Sequence, residues 1–428
     1  MLRTLRRTLA LIITSVVAIA ATTLAAPPAS AIVAWGPQRT LADWAWSTGS
    51  SLAATGSGSD LVVHQLLTTD NIDGEFATDH GPYEGVFLSS SKDRGMTWSA
   101  PVRVSQPKRH AERAGLAADG DTLYAVWTTR ASYDHENPSG RRILYLRAND
   151  AGGAPRGWGP IVQLSKLKGL VDSPSVAASA GRVYVAWTDA NTGEVRLAAS
   201  KDQGTTWKRH VLGKARGLDT GGEGHLGLTS VGAAGPNVGV AWLATSDGAV
   251  RGAVSTNGGR TWRLVVTLAS GGGGANGGSP SVDGRGDRLA FAWTTATGLW
   301  VRPWSGSFEP TEQVVPFGDG SGEDTGGYDA QVVVGDAGTI GVVWSGCGSV
   351  TCDTGSALAR IQVLWSGSTG GGWSAPSLVR GATSDDQRIN DGASVVWINA
   401  QTRIVSYAGS VSGFTTYRLY ARVGSGPS

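Results

Sequence analysis

A short apolar segment that ends in Ala-Trp or Val-Trp recurs along this chain. Its copies are Leu123–Trp127, Val183–Trp187, Val238–Trp242, Leu289–Trp293 and Ile340–Trp344. Each follows another short apolar segment and a Gly-containing turn, and each precedes a third segment and a fourth that begins with Trp. Short apolar runs bounded by turn residues predict β-strands. The repeat therefore predicts units of four antiparallel strands, with no long helical pattern between them.

Four antiparallel strands per repeat is typical of a β-propeller blade. Six whole units are predicted, at about 47–105, 110–165, 170–213, 223–269, 277–316 and 326–380. A seventh, at about 388–424, has three strands, and its missing strand is found at the other end of the chain as Trp35–Leu41. We predict an all-β, seven-bladed propeller over residues 32–428. The N-terminal strand pairs into the C-terminal blade and so removes the open edge.

Tryptophan supports the same repeat. Eleven of the 17 Trp occupy two repeat positions: the end of the second strand in Trp127, Trp187, Trp242, Trp293 and Trp344, and the start of the fourth in Trp35, Trp98, Trp158, Trp207, Trp262 and Trp373. Large aromatic side chains at equivalent repeat positions are expected to fill a core. We predict that they pack between blades and do not form ligand platforms.

An octapeptide also repeats, as Ser91–Trp98, Ser200–Trp207 and, altered, Ser255–Trp262. The shared pattern resembles the Asp-box (BNR repeat) of the sialidase-like β-propellers. Asp93 and Asp202 are expected to accept hydrogen bonds from turn amides between the third and fourth strands. In the family this turn lies on the face away from the active site, so the resemblance excludes these Asp residues from catalysis.

The first 31 residues predict a secretory signal peptide. Arg3, Arg6 and Arg7 precede an apolar stretch, and Ala29-Ser30-Ala31 fits the cleavage rule. Removing the three Arg changes the formal net charge from +2 to −1. That balance excludes the basic excess of nucleic-acid-binding and membrane-surface proteins. We expect a secreted, extracellular monomer with no nucleic-acid or membrane partner.

Acidic residues recur just before the predicted innermost strands. They are Glu112, Asp172, Asp329 and, more loosely, Glu223 and Asp391. At the channel mouth they would supply a general acid and its base, or oxygen ligands for a possible Ca²⁺. The alternative is that each caps the backbone at the entry to its blade, as Asp commonly does.

Several basic and aromatic residues lie near the predicted mouth. His110, Arg113, His135 and Arg388 are candidates for substrate binding, and Tyr328 for catalysis. Long loops in blades one, two and six predict a pocket on that side. Cys347 and Cys352 are the only cysteines, and in an exported protein the default is a disulfide between them.

The sialidase resemblance implies a Tyr–Glu pair, for which Tyr328 with Glu223 fits loosely, and Arg388 as one carboxylate-binding Arg. The early Arg-Ile-Pro motif of sialidases is absent, and small residues near Ala244 replace another family Arg. We therefore do not expect true sialidase activity. The sequence predicts a carbohydrate-active propeller, a glycoside hydrolase in preference to a polysaccharide lyase. The alternative is a non-catalytic propeller that binds an extracellular glycan or protein.

Overall fold

The computed structural model describes residues 33–42, 51–69, 85–107, 111–130, 141–166, 169–215, 229–244, 248–262, 264–270, 280–295, 297–316, 328–347, 361–368, 372–380, 393–399, 401–411 and 416–426. The segment predicted to be the signal peptide lies outside these ranges. By its contacts, Ala31–Ser428 forms one compact unit. In the described ranges there is no helix of the length and hydrophobicity that crossing a membrane requires.

The described ranges contain 29 β-strands and no α-helix. The N-terminal pair is β1 Ala34–Trp35 and β2 Arg39–Ala42. Blade 1 has β3 Ser51–Thr55, β4 Val62–Thr69, β5 Gly85–Ser91 and β6 Val102–Arg103. Blade 2 has β7 Ala111–Asp119, β8 Thr122–Arg130, β9 Arg142–Asn149 and β10 Trp158–Gln163. Blade 3 has β11 Val171–Ser179, β12 Arg182–Asp189, β13 Glu194–Ser200 and β14 Lys208–Lys214.

Blade 4 has β15 Thr229–Ala234, β16 Asn237–Leu243, β17 Val250–Ser255 and β18 Leu264–Ala269. Blade 5 has β19 Ser281–Arg285, β20 Arg288–Thr295, β21 Gly298–Trp304 and β22 Glu312–Pro316. Blade 6 has β23 Tyr328–Val334, β24 Ile340–Cys347, β25 Ile361–Ser368 and β26 Ser377–Arg380. Blade 7 has β27 Ser394–Asn399, β28 Thr402–Val411 and β29 Thr416–Ser425, to which β1 and β2 add.

Seven separate sheets are arranged in a ring. In the sheets of blades 1 to 6 the strands pair antiparallel in chain order, and in blade 7 the N-terminal strands β1 and β2 pair with β29. The first strand of every sheet contacts the first strand of the next, and the contact of β27 with β3 closes the circle. The first strands are therefore innermost and surround a central channel. The predicted all-β, seven-bladed propeller is confirmed.

Ring closure uses the N-terminal strand, as predicted. In the pairing of β1 with β29, Trp35 lies opposite Gly424. A Cβ atom at Gly424 would lie 2.6 Å from the Trp35 ring, so a side chain there would displace the Trp. The Trp35 indole nitrogen donates to the Ser377 hydroxyl of blade 6 at 3.2 Å. The Arg422 guanidinium donates to the Gly36 carbonyl at 2.8 Å. The first strand is therefore held by both blade 7 and its neighbour.

The repeat Trp residues form the core between blades. Trp127 of blade 2 is 0% exposed and packs with Ala53, Leu66 and Val86 of blade 1. The second-strand Trp of blades 3 to 6 are equally buried, and the Trp that lead the fourth strands pack, half-buried, against the same clusters. The prediction that these residues are core is confirmed.

Candidate functional site

A buried ion pair lies at the entrance of blade 2, by which we mean the place where its innermost strand begins. Glu112 is the second residue of β7, and Arg142 is the first residue of β9. The Arg142 Nε atom lies 2.7 Å from Glu112 Oε1, and the two side chains are 6% and 4% exposed. The Arg142 amide donates to the Gly169 carbonyl at 3.1 Å, which ties this entrance to the start of blade 3. The charge of Glu112 is therefore balanced away from solvent.

A second ion pair joins blades 2 and 3. Arg113 Nη1 contacts Asp172 Oδ1, and the two side chains are 16% and 1% exposed. The same Asp172 oxygen accepts the Ser173 amide at 2.9 Å. A guanidinium that is paired with a buried carboxylate keeps a defined position. Asp172 therefore holds Arg113 at the rim of the channel.

The backbone is strained at both of these entrances. The strand register shifts between Glu112 and Gly115 in β7, and between Asp172 and Ser175 in β11, as in a β-bulge. The residue after each acid has left-handed backbone, with φ of 52° at Arg113 and 47° at Ser173. Non-Gly residues adopt this region at a cost, and such strain clusters at functional sites. Each bulge adds one residue between the acid and the rest of its paired strand.

Strand register corrects the alignment of blade 6. The sequence aligns Asp329 with Glu112 and Asp172, directly before the innermost strand. In the structure all three acids lie within innermost strands, and Tyr328 occupies the position in blade 6 that Glu112 occupies in blade 2. Tyr328 pairs with Ser345 just before a register shift, as Glu112 pairs with Thr128. Asp329 is one residue further along. The sequence could not show this because the bulge changes the count of residues.

The channel forms a cavity of about 670 Å³ lined by the innermost strands of all seven blades. Arg113, Ser173 and Thr229 line it at the end where these strands begin, which we call the mouth. Deeper along the wall, the serine at one repeat position accepts an amide of the next blade. The hydroxyl oxygens that accept belong to Ser51, Ser175, Ser230, Ser281 and Ser394, and the donating amides are those of Leu116, Val231, Val282, Val332 and Leu52, in that order. Four of these hydrogen bonds are 3.0–3.1 Å long, and the one to Ser230 is 2.9 Å long.

In blade 5 a carboxyl group, that of Asp283, lies next to these serines and deeper in the channel. Asp283 lines the cavity two residues after Ser281. Its Oδ2 atom accepts the Val334 amide of blade 6 at 2.7 Å. Burial raises the pKa of Asp283 to about 6, and the backbone hydrogen bonds only partly offset it. Asp119 also lines the cavity, at the far end, where it accepts the amides of Ala180 and Gly181.

The repeated octapeptide forms a turn at the opposite end of the blades. It connects β5 to β6 in blade 1 and β13 to β14 in blade 3, and antiparallel order places it away from the mouth. Asp93 Oδ1 accepts the Thr97 amide at 2.8 Å. The Thr97 hydroxyl and amide lower the pKa of Asp93 to about 2, and the Thr206 groups do the same for Asp202. These carboxylates serve the turn.

Several predicted site residues cannot be placed. Glu223, His110, His135, Arg388, Asp391 and Cys352 lie outside the described ranges. For Tyr328, Asp329 and Cys347 the strand position is described but the side chain is not. The predicted disulfide and the Tyr328–Glu223 pair therefore stay predictions. The described residues contain no group of three or more His, Cys, Asp and Glu that could hold a metal ion, and Ca²⁺ binding also stays a prediction.

Sequence reasoning missed two residues of this region. Arg142 lay among other charged loop residues, and only its pairing with Glu112 sets it apart. Asp283 had a usable signal, because an acid at an inward position of an innermost strand breaks a pattern of small and apolar residues. The mouth as described can hold an anion or a hydroxyl-rich ligand on Arg113, with Glu112 and Asp172 as ionic supports.

No protein-family model matches the chain, and no curated protein does. Among solved structures it is similar to a Trypanosoma rangeli sialidase in complex with sialic acid, at 11% identity over 93% of this chain and 59% of that one, with a TM-score of 0.47. The Hadza microbial sialidase Hz136 is 14% identical over 86% of this chain and 64% of that one, with a TM-score of 0.48.

A Dyadobacter fermentans protein of unknown function is 14% identical over 92% of this chain and 98% of that one, with a TM-score of 0.46. This chain spans about three fifths of the length of the two sialidases.

Proposed function

We propose that this protein is a secreted, monomeric propeller that acts on an extracellular glycan bound at the mouth of the channel. The observation that carries the proposal is the position of Arg113. Its backbone is held left-handed at a bulge, its guanidinium is paired with buried Asp172, and it lines the cavity. A fixed guanidinium presents several N–H donors to a carboxylate or to sugar hydroxyls.

The finer proposal is glycoside hydrolysis. Hydrolysis requires a carboxylate that acts as base or nucleophile and a separate proton donor. Glu112 and Asp172 are balanced by Arg142 and Arg113, so each suits the ionised role and neither suits the donor. The donor is assigned to the start of β23, where Tyr328 occupies the strand position of Glu112. Elimination would instead need a His or Tyr base, such as His110, Tyr133 or His135.

A non-catalytic glycan-binding propeller is the second candidate. The specific observation in its favour is the burial of both described acids, with side chains 4% and 1% exposed. A catalytic acid or base must touch the substrate. If no other acid reaches the mouth, Arg113 would bind a glycan that is never cleaved.

The test is binding to a glycan array, followed by product analysis on every glycan that is bound. We expect Arg113→Gln to abolish binding and Asp172→Asn to weaken it, since Arg113 loses its support. Asp202→Asn is the matched control, because it makes the same chemical change in a turn at the other end of the blade. Cleavage products that have gained water would establish the hydrolase, unsaturated products would establish a lyase, and binding without products would establish the second candidate. Equal binding by Arg113→Gln and the parent would refute the site.

Export belongs to the proposal and has its own test. If the first 31 residues are a signal peptide, protein recovered from the culture medium should begin at Ile32. Retention of the full chain inside the cell would contradict secretion. Size-exclusion chromatography with light scattering should give the mass of one chain.

A further inference from the structure

The channel below the mouth has the size of a small-molecule site. Its volume of about 670 Å³ lies within the range of about 300–1,000 Å³ typical of ligand pockets. Innermost strands contribute about six lining residues each, so the cavity is about 20 Å long at about 3.3 Å per residue. At its centre the wall carries serines in blades 1, 3, 4, 5 and 7 and an amide in blade 6.

Three neighbouring hydroxyl groups at one level, in blades 3, 4 and 5, have a hydrogen-bond donor to spare. Ser175, Ser230 and Ser281 each accept the amide of the following blade, and this fixes the direction of each oxygen. A hydroxyl also carries one O–H donor. Within the described part of the chain these three hydroxyls donate to no protein acceptor. All three line the cavity in blades 3, 4 and 5, so their O–H groups are available to a molecule in the channel.

Blade 6 adds an amide at the same level. Gln331 occupies the repeat position of Ser281, because each pairs with the residue just before the second-strand Trp, Val343 and Ala292 respectively. Gln331 lines the cavity, and among the described residues its side chain has no hydrogen-bond partner. An amide offers two donors and one acceptor. Asp283 lies one level deeper, with Oδ2 on the Val334 amide and Oδ1 as a further acceptor.

This mixture of groups selects the charge class of the ligand. An anion would meet the Asp283 carboxyl, and the nearby guanidinium of Arg285 is already paired with Asp336 at 2.8 Å. A divalent cation needs several charged oxygen ligands, whereas the described wall has one carboxyl here. Hydroxyl donors, an amide and a single carboxyl acceptor instead match a neutral molecule with many hydroxyl groups. Asp283, which also accepts the Val334 and Gly284 amides, can accept a hydroxyl of such a molecule, and the serines and Gln331 can donate to the oxygens of that molecule.

We propose that the centre of the channel binds one monosaccharide, held by Ser175, Ser230, Ser281, Gln331 and Asp283. The site is separate from the mouth and does not depend on what the mouth binds or cleaves. Neutral hydrogen bonds at a solvated site give modest affinity, so a dissociation constant in the millimolar range is expected.

The test is saturation-transfer NMR and calorimetry on the full chain with glucose, galactose, mannose and N-acetylglucosamine. We expect saturable binding of at least one of them. Asp283→Asn and Gln331→Leu should each weaken it about tenfold, since each removes a hydrogen-bonding group worth about that factor. Asp283→Asn keeps an oxygen for the Val334 amide, so the blade contact survives. Asp119→Asn is the matched control and should leave the affinity unchanged, because Asp119 is engaged with Ala180 and Gly181.

A fourth variant tests the location. Ala177→Leu adds bulk at the level of Asp283 without removing a hydrogen bond, and it should abolish binding; because Ala177 also packs in the core between blades 3 and 4, the variant is first checked for folding. If it does not fold, Asp283→Asn and Gln331→Leu still decide. No saturable binding by the folded parent would overturn the proposal, as would equal affinity in both polar variants. Preferential binding of phosphate or Ca²⁺ would also overturn it. Monosaccharide binding that survives Arg113→Gln separates this site from the mouth.

Discussion

Replacing Asp283 with Asn removes a negative charge from the channel wall and keeps the shape of the side chain. In the unfolded chain the carboxyl titrates near 3.8, whereas in the fold burial raises its pKa to about 6. The stability that the neutral form contributes is present in full below pH 3.8 and is lost as the pH rises through 6. At neutral and higher pH the parent therefore keeps a charge in an unfavourable place.

The size of the effect follows from that shift. A change from 3.8 to about 6 corresponds to about 3 kcal/mol, at about 1.4 kcal/mol per pH unit. Asp283 is partly exposed to the cavity, and solvent there reduces the penalty to about 1–3 kcal/mol. The Asn oxygen can still accept the Val334 amide, so no blade contact is lost. We expect Asp283→Asn to be more stable than the parent at pH 8 and equal to it at pH 3.5.

The assay is urea unfolding at several pH values, followed by tryptophan fluorescence, because many of the 17 Trp lie between blades. Asp93→Asn is the control of opposite sign. The pKa of Asp93 is lowered to about 2, so its charge supports the fold and its removal should not stabilise the protein at pH 8. If Asp283→Asn is no more stable than the parent at pH 8, the argument from burial is wrong.

Three further variants test other parts of the fold. Arg142→Met removes the 2.7 Å ion pair of buried Glu112 and should cost about 3–5 kcal/mol of unfolding free energy; adding Glu112→Gln should restore much of it. Trp35→Ala should lower the free energy of unfolding by about 2–4 kcal/mol and lower the melting temperature. An unchanged melting temperature would show that the first strand does not close the ring. Burial lowers the pKa of His64 from 6.5 to about 4, so the parent should lose about 3 kcal/mol as the pH falls between these values. His64→Gln should flatten that slope, and an unchanged slope would contradict the assignment.

The predicted parts of the fold are those that repeat locally. Blades 1 to 6 are each a run of strands paired with their sequence neighbours, so turn residues and apolar runs predict them. Trp127 and its equivalents recur at one position of the second strand, which marks them as core. The incomplete last unit, together with the strand at Trp35–Leu41, predicts closure.

Contacts between blades were less predictable. Arg403 of β28 is 0% exposed and lies between Trp365 and Trp397, with its guanidinium carbon 5.1 and 5.3 Å from their ring centroids. Burial lowers the pKa of Arg403 to about 10. A sequence pattern assigns such an Arg to the solvent face of its strand. Only the approach of blade 6 to blade 7 places it between two rings.

At the candidate site, too, the sequence predicts some of the residues but not the contacts between them. From the sequence alone, acids and an Arg were expected where the innermost strands begin, because strand starts gather at one end of a propeller. The sequence did not determine that Glu112 pairs with Arg142, or that Arg113 pairs with Asp172 of the next blade. These partners are far apart in the chain and meet through strand pairing and ring closure. The bulges then decide which side chain faces the channel, since one extra residue reverses the face of a strand.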